Sequence, residues 1–337
     1  MFNNSTQAKA GAGNFGACCK SSCSRLLVCM FCILSFTSCE SNKPPTPLTI
    51  VVGSWYGFYP LYYAIEQGLD HKHQLRLKIL EPSNIFNLRR SYLRDEVDAA
   101  ATSMLEFSNA NILSNQALSP VIITDFSAGG DVIVAHKSLK NADALRGKRI
   151  AVPSQGIGSY FMSLTFEDSD PFKYFTQIII PETECEQAFQ HEQIDACVTY
   201  PPLSTHLLAN DNLHLVTSSE AFPNQIFDLL WAKPHVGADT KAKLVNMWLE
   251  AIDVIKKDPE NFYQFVAAIA NVPKETVSEA MDGIILVDSD INRRLHKDGM
   301  ALSASLVNAC KVAKHDKCET FKTLFNEVYA GSKQVSQ

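Results

Sequence analysis

A short acidic phrase occurs twice in this sequence and constrains its fold more than any other feature. Residues 96–105 read EVDAAATSML, and residues 193–202 read QIDACVTYPP. The neighbours of the phrase repeat as well. LTIVVGSWYGFYP at 48–60 and KRIAVPSQGIGSY at 148–160 each join a buried strand, a turn of small residues and a helix start. The repetition predicts two α/β units of the same plan in one chain.

The rest of the chain alternates short apolar runs with amphipathic segments, which favours an α/β fold with largely parallel sheets. The 337 residues are enough for two lobes. The pattern predicts strands at 48–52, 75–80, 98–101, 121–126 and 131–136. It predicts helices at 61–67, 84–93, 274–281 and 301–313, and one long amphipathic helix over 239–269.

The N-terminal segment has the composition of a secretory signal. It contains three basic residues and no acidic residue before an apolar run at 26–36. The following Thr37-Ser38-Cys39 resembles the lipobox of bacterial lipoproteins, in which Cys is lipidated. We therefore expect a lipoprotein signal peptide at 1–38, and a proline-rich lipidated tether at 39–47 that binds the protein to the membrane through Cys39. An ordinary secretory signal is the alternative.

Charge and cysteine content exclude several classes of protein. Removal of 1–38 takes away three of the 30 basic residues and leaves 36 acidic ones, so the net charge lies near −9. Such a chain is not expected to bind nucleic acid. Cys310 and Cys318 are close enough in sequence to form a disulfide, and Cys185 with Cys197 is a weaker candidate pair. No Cys-x-x-Cys pair follows residue 38, so we expect no metal site.

Sequence signatures of enzymes are missing from the chain. It has no G-x-S-x-G, H-E-x-x-H or P-loop pattern, so we expect no catalytic residue and no cofactor. GAGNFG at 11–16 fits the dinucleotide-binding pattern, but no apolar strand precedes it.

The ordered segments resemble the type II solute-binding proteins of bacterial ABC importers, in the branch that binds taurine, aliphatic sulfonates, nitrate and thiamine precursors. The segments that carry the resemblance are IVVGSWYGFYPLYYAIEQGL, EVDAAATS, DFSAGGD, LRGKRIAVPSQGIGSYF, QAFQHEQIDACVTYPPLSTHL, SSEAFPNQIFDLLWAK and DGIILVDSDINRRL. The resemblance implies a two-lobed periplasmic-binding-protein fold with a two-strand hinge. Its implied partners are a small ligand, anionic or heteroaromatic, and an ABC permease.

On this plan, lobe one comprises 48–127 and 225–337, and lobe two comprises 128–224. The expected crossings between them are 125–127 and 227–229. A sensing lipoprotein that acts on a membrane receptor is a second reading, and a pyrimidine-precursor synthase is a third.

Ligands of open α/β sheets lie beyond the carboxyl ends of the strands. The residues that we expect to contact ligand are Trp55, Tyr56, Tyr59, Thr102, Ser103, Asp125, Ser154, Ser159, Tyr160, Thr199, Tyr200 and Asp228. Ser154 and Ser159 are equally good helix N-caps. Asp125 and Asp228 fit either a hinge role or a contact with an amine. Asp98 and Asp195 are expected to brace the sheets.

Overall fold

The computed structural model describes residues 47–152, 156–295, 299–322 and 325. The strands are β1 Leu48–Val52, β2 Leu77–Leu80, β3 Ala99–Ser103, β4 Ser119–Ser127, β5 Val132–His136, β6 Arg149–Ala151, β7 Thr176–Ile178, β8 Ala196–Thr199, β9 Leu213–Ser218, β10 Phe227–Ala232 and β11 Ile284–Leu286. The helices are α1 Tyr59–Glu66, α2 Leu69–Lys72, α3 Ile85–Leu93, α4 Met104–Ser114, α5 Ile157–Thr165, α6 Cys185–Gln190, α7 Leu203–Leu208, α8 Ala238–Lys257, α9 Pro259–Ala270, α10 Lys274–Met281, α11 Ser289–Leu295 and α12 Gly299–Val312. Within the described ranges, no helix is long and apolar enough to cross a membrane.

The strands form two separate sheets. The first has the order β11-β4-β10-β3-β1-β2, and the second has the order β7-β6-β8-β5-β9. We call each sheet with its helices a lobe. The expectation of largely parallel sheets was wrong in detail, because β4 and β10 pair antiparallel with each other and β5 pairs antiparallel with β8 and β9. β10, which follows the return to the first sheet, therefore runs antiparallel to the parallel β1-β2-β3 unit. β5, which follows the entry to the second sheet, runs antiparallel to the parallel β6-β7-β8 unit.

The repeated Asp-Ala phrase has the same structural role in both lobes. Asp98 Oδ2 accepts a hydrogen bond from the Thr49 backbone N–H at 2.7 Å, just before β3. In the second lobe, Asp195 Oδ2 accepts one from the Arg149 backbone N–H at 2.8 Å, just before β8. Each aspartate thus fixes the start of the neighbouring parallel strand. This is the bracing that the repeat predicted.

Two connections join the lobes. The chain leaves the first sheet after Ser127, at the end of β4, and returns to it at Phe227, the start of β10. The crossings expected at 125–127 and 227–229 therefore form the adjoining ends of these strands. The hydroxyl oxygens of Ser127 and Ser219 lie 2.7 Å apart, and Ser219 Oγ also accepts the Gly129 N–H at 2.8 Å. Gly129 has a φ of 134°, which favours glycine over any other residue.

The long helix expected over 239–269 is in fact two helices, α8 and α9. Pro259 has no backbone N–H and cannot continue the hydrogen-bonding pattern of α8. Asp258 then caps the new helix, because its Oδ1 accepts the Asn261 N–H at 3.2 Å. The apolar face of α8 is buried as predicted, with Trp248 donating to the Val287 carbonyl at 3.0 Å.

Helix α12 contacts both lobes, packing on α4 of the first and α5 of the second. The side chain of Gln225, on the returning connection, lies between these elements. Its Oε1 accepts hydrogen bonds from Tyr160 OH of α5 at 3.1 Å and from Ser305 Oγ of α12 at 3.4 Å. The C-terminal segment, expected to belong to lobe one, therefore also packs against lobe two.

Candidate ligand-binding site

A cavity of about 70 Å³ lies where the carboxyl ends of strands from both sheets meet. The residues that follow β1 and β3 form one side of it, and those that follow β6 and β8 form the other. Its lining residues are Gly53, Ser54, Trp55, Phe58, Ile85, Leu88, Thr102, Ser103, Glu106, Asp131, Gly156, Ile157, Glu182, Tyr200, Ile226 and Asp228. The position is the one at which open α/β sheets bind ligands.

Two aromatic side chains meet across the cavity. Trp55 of the first lobe and Tyr200 of the second contact edge to face, with ring centroids 5.9 Å apart and planes at 82°. The indole Nε1 donates to Asp125 Oδ1 at 2.8 Å, which fixes the orientation of the ring. A Cβ at Gly57 would overlap both Trp55 and Asp125, and one at Gly130 would overlap the indole. Glycine at these two positions is therefore needed to admit the ring.

A pair of buried carboxyl groups lies below this aromatic wall. Asp125 on β4 and Asp228 on β10 are directly opposite in the antiparallel ladder, and their carboxyl groups interact with each other. Burial raises the pKa of both groups, and the negative charge of Asp125 raises that of Asp228 further. Asp228 lines the cavity, whereas Asp125 is fully buried behind it with its Oδ2 lacking a hydrogen-bond partner.

Two more carboxyl groups reach the cavity from the second lobe. Asp131 lies on the first connection between the lobes, and its backbone N–H donates to Ser127 Oγ at 3.0 Å. Burial raises the pKa of Asp131 to about 6. Glu182 begins the turn before α6. Burial raises its pKa to about 7, and the charges of Glu106 and Asp131 contribute to the shift.

Glu106 on α4 forms a salt bridge with Arg89 on α3. Arg89 Nε donates to its Oε2 at 2.8 Å, and Arg89 Nη2 pairs with its Oε1. Tyr92 OH and Asn109 Nδ2 also donate to this carboxylate, at 3.3 and 3.2 Å. Glu106 is therefore neutralised and saturated with hydrogen bonds, and it fixes the position of the α3–α4 pair beside the cavity.

The structure brings only part of the expected set to the cavity. Trp55, Thr102, Ser103, Tyr200 and Asp228 line it. Ser103 Oγ also caps α4 by accepting the Glu106 N–H at 3.4 Å. Ser154 lies outside the described residues. The expected residues that are buried without lining the cavity are Tyr56, Tyr59, Asp125, Ser159, Tyr160 and Thr199.

These residues miss the cavity for identifiable reasons. Tyr56 and Tyr59 point into the first-lobe core, where their rings contact edge to face. The Tyr160 ring also faces the core, and its hydroxyl is occupied by Gln225. Thr199 ends β8 one residue before the turn, so Tyr200 takes the position that faces the cavity.

Three acidic residues of the cavity were not expected from the sequence. Ser103-x-x-Glu106 has the spacing of a helix capping box, which accounts for a glutamate locally. Asp131 opens a strand after a glycine turn, and Glu182 lies in the polar segment PETE. The sequence signal that these three residues share is their position. Each lies near the start or end of a helix or strand that reaches the edge of a sheet.

The described part of the chain contains two disulfides. Cys185 at the start of α6 bonds Cys197 in β8, and Cys310 in α12 bonds Cys318. Cys185 lies three residues after Glu182, and Cys197 lies three residues before Tyr200. The first disulfide therefore holds together the two second-lobe segments that supply these cavity residues.

Comparisons with solved structures identify the class of fold. The nitrate-binding protein NrtA of Synechocystis PCC 6803 has a TM-score of 0.68 and 12% identity, over 87% of this chain and 89% of its own. The Escherichia coli aliphatic sulphonate-binding protein SsuA has a TM-score of 0.63 and 13% identity, over 83% of this chain and 99% of its own. A Candida albicans protein with the generic periplasmic-binding-protein fold has a TM-score of 0.65 and 13% identity, over 83% of this chain and 95% of its own. This chain has the periplasmic-binding-protein fold.

The family is shown by the sequence itself. Residues 41–270 match the NMT1-like family, so the chain belongs to it. A search of curated proteins found no match. The family and fold agree with the resemblance to solute-binding proteins of ABC importers on which the expected two-lobed plan was based.

Proposed function

We propose that this protein is the substrate-binding component of an ABC importer, which captures a small molecule between its lobes in the periplasm and delivers it to an ABC permease. The observation that carries the proposal is a cavity whose walls come from both lobes and from the segments that join them. The structural neighbours NrtA and SsuA, which are named for binding nitrate and sulfonate, support a solute-binding role.

Closure of the lobes accounts for capture. The first lobe supplies Trp55, Thr102 and Asp228, and the second supplies Glu182 and Tyr200. Separated lobes would each offer half of these contacts, so a ligand binds the closed form more tightly. It then shifts the population toward that form by its differential affinity.

The test of this function combines binding with shape. Nitrate, taurine, an alkanesulfonate, a pyrimidine and a polyamine are screened by thermal shift, since a ligand that binds only the folded state raises Tm. A hit should make the protein more compact in small-angle X-ray scattering. Tyr200→Ala should weaken that hit, whereas Tyr174→Ala, in the same lobe but outside the cavity, should not. A tight ligand that leaves the scattering unchanged would contradict closure.

We also propose that Cys39 carries the lipid that holds the protein to the bacterial membrane. The proposal is supported by the lipobox-like FTSC at 36–39 and the proline-rich segment after it. Cys39 lies outside the described residues. Wild-type protein should partition into the detergent phase with membranes, and Cys39→Ala should remain unprocessed or soluble. An unmodified N-terminus on periplasmic wild-type protein would contradict lipidation.

A further inference from the structure

The carboxyl groups around the cavity outnumber its cationic partners. Asp131, Glu182 and Asp228 line it, and Asp125 lies directly behind Asp228. Among the described residues, none of the lining side chains is Lys, Arg or His. Arg89 on α3 pairs with Glu106, the fourth acid of the lining, and also acts on Glu182 by lowering its pKa. An anionic ligand would therefore find no cationic side chain in this lining to pair with.

The Asp125–Asp228 pair is the strongest part of this observation. Two carboxyl groups on adjacent strands are costly to ionise together when both are buried, unless a positive charge lies beside them. The neighbour of Asp228 across the ladder is Asp125, whose carboxyl is a group of the same charge type. Asp125 Oδ2 is buried without a partner. Asp228, the member of the pair that lines the cavity, can therefore accept hydrogen bonds from a ligand.

The remaining walls are apolar or aromatic. Trp55 and Tyr200 present ring surfaces, and Phe58, Leu88 and Ile226 also line the cavity. Aromatic faces attract cations through their negative quadrupole, and apolar walls favour the body of an organic molecule over a hydrated inorganic ion. In the described residues, no three His, Cys, Asp or Glu side chains are grouped to hold a metal ion.

Resting on the proposed solute-binding function, we propose that the ligand is a small organic cation with N–H donors on a flat apolar body, such as a protonated amine or an amidinium. Its donors bind Asp228 and Asp131, and its body packs against the Trp55 and Tyr200 rings. The charge of this ligand is opposite to that of nitrate and of sulfonates, the ligands named for the structural neighbours.

The test uses three probes of matched shape and different charge. Benzamidinium is a flat cation with N–H donors, benzamide is its neutral counterpart, and benzenesulfonate is a flat anion. Each is titrated into the whole protein by calorimetry and by thermal shift. We expect benzamidinium to bind and raise Tm, and the two other probes to bind at least about tenfold more weakly.

Charge-removing variants locate the binding. Asp228→Asn keeps the shape of the side chain and should weaken benzamidinium about tenfold to a hundredfold, because one charge-assisted hydrogen bond is lost. Asp131→Asn, on the other lobe, should weaken it by a similar factor. The matched control is Asp239→Asn, a surface aspartate that pairs with Lys243 and should leave the affinity unchanged. The fold of each variant is checked by circular dichroism.

Several results would overturn the cation assignment. The first is tighter binding of benzenesulfonate, taurine or nitrate than of benzamidinium. The second is binding of benzamidinium that Asp228→Asn and Asp131→Asn do not weaken. The third is a Tm that rises with Zn²⁺ or Ca²⁺ salts and not with benzamidinium. An anion that binds and compacts the protein would refute the charge of the ligand and leave the solute-binding function intact. A protein that responds to no probe and no screened solute would refute both.

Discussion

The two copies of the repeated unit agree at one end and differ at the other. At the amino ends of β3 and β8, Asp98 and Asp195 make the same hydrogen bond to the neighbouring strand. At the carboxyl ends, Ser103 of the first copy corresponds to Tyr200 of the second, and Glu106 corresponds to Leu203. The end that builds the sheet is repeated, whereas the end that lines the cavity differs between the copies.

The copies also differ in the contact that anchors α3 and α6, the helices that precede the repeated phrase. In the first copy, the Arg89–Glu106 ion pair joins α3 to α4 beside the cavity. In the second, the Cys185–Cys197 disulfide joins α6 to β8. The comparison teaches that the fold can be duplicated while the chemistry of each strand end changes independently, and the following predictions test it.

The largest effect is expected from Glu106→Ala. It would leave the largely buried Arg89 without its carboxylate, and breaking such a pair costs about 3–5 kcal/mol of unfolding free energy. Leu203→Ala, at the corresponding position of the second copy, should cost only about 1 kcal/mol because that leucine is half-buried. Urea denaturation measures both. Equal losses would show that Glu106 has no special structural role.

The disulfides should have similar effects on stability and different effects on binding. Replacing either cysteine pair by serine should cost roughly 2–3 kcal/mol, because the closed loops of 12 and 8 residues are both short. Loss of Cys185–Cys197 should also weaken ligand binding, since it frees the segments that carry Glu182 and Tyr200. Loss of Cys310–Cys318 should not. Calorimetry with the best ligand of the screen measures the difference, and equal affinities would contradict it.

Because Asp98 and Asp195 make equivalent hydrogen bonds, replacing either one should lower the free energy of unfolding by a similar amount. Asp98→Ala and Asp195→Ala should each cost about 1–3 kcal/mol, because each leaves a strand-initiating N–H without its acceptor. Neither residue lines the cavity, so ligand affinity should stay constant in the folded fraction. Thermal denaturation with and without ligand tests this. A neutral Asp98→Ala beside a destabilising Asp195→Ala would show that the two braces are not equivalent.

The smallest effect is expected from pH. Asp131 and Glu182 have folded-state pKa values of about 6 and about 7, above ordinary values of 3.8 and 4.5. The folded state therefore binds more protons, and the stability from these groups is lost as pH rises through 6 and 7. The ligand-free protein should be about 1 kcal/mol more stable near pH 6 than near pH 7.5. Asp131→Asn should reduce this dependence, and a rise in stability over the same interval would contradict it.

The sequence predicted the sheets better than the cavity. The repeated phrase located both Asp braces because strand starts are determined by local pattern and by a hydrogen bond to the next strand. The break at Pro259 was missed because the apolar period of α8 continues through it. Glu106, Asp131 and Glu182 were missed because each is explained locally, as a cap, a turn and a polar segment. Their convergence depends on contacts between elements far apart in the chain.

The position of Trp55 has an optical consequence. The sequence contains three tryptophans, and Trp231 and Trp248 donate hydrogen bonds to Thr102 and Val287 within the first lobe. Trp55 alone among them meets a ring of the second lobe, Tyr200, while its indole nitrogen is bonded to Asp125. Separation of the lobes would change the surroundings of one indole and leave the other two as they are. The intrinsic fluorescence of this protein therefore carries a built-in reporter of lobe separation, with two tryptophans as an internal reference and no dye attached.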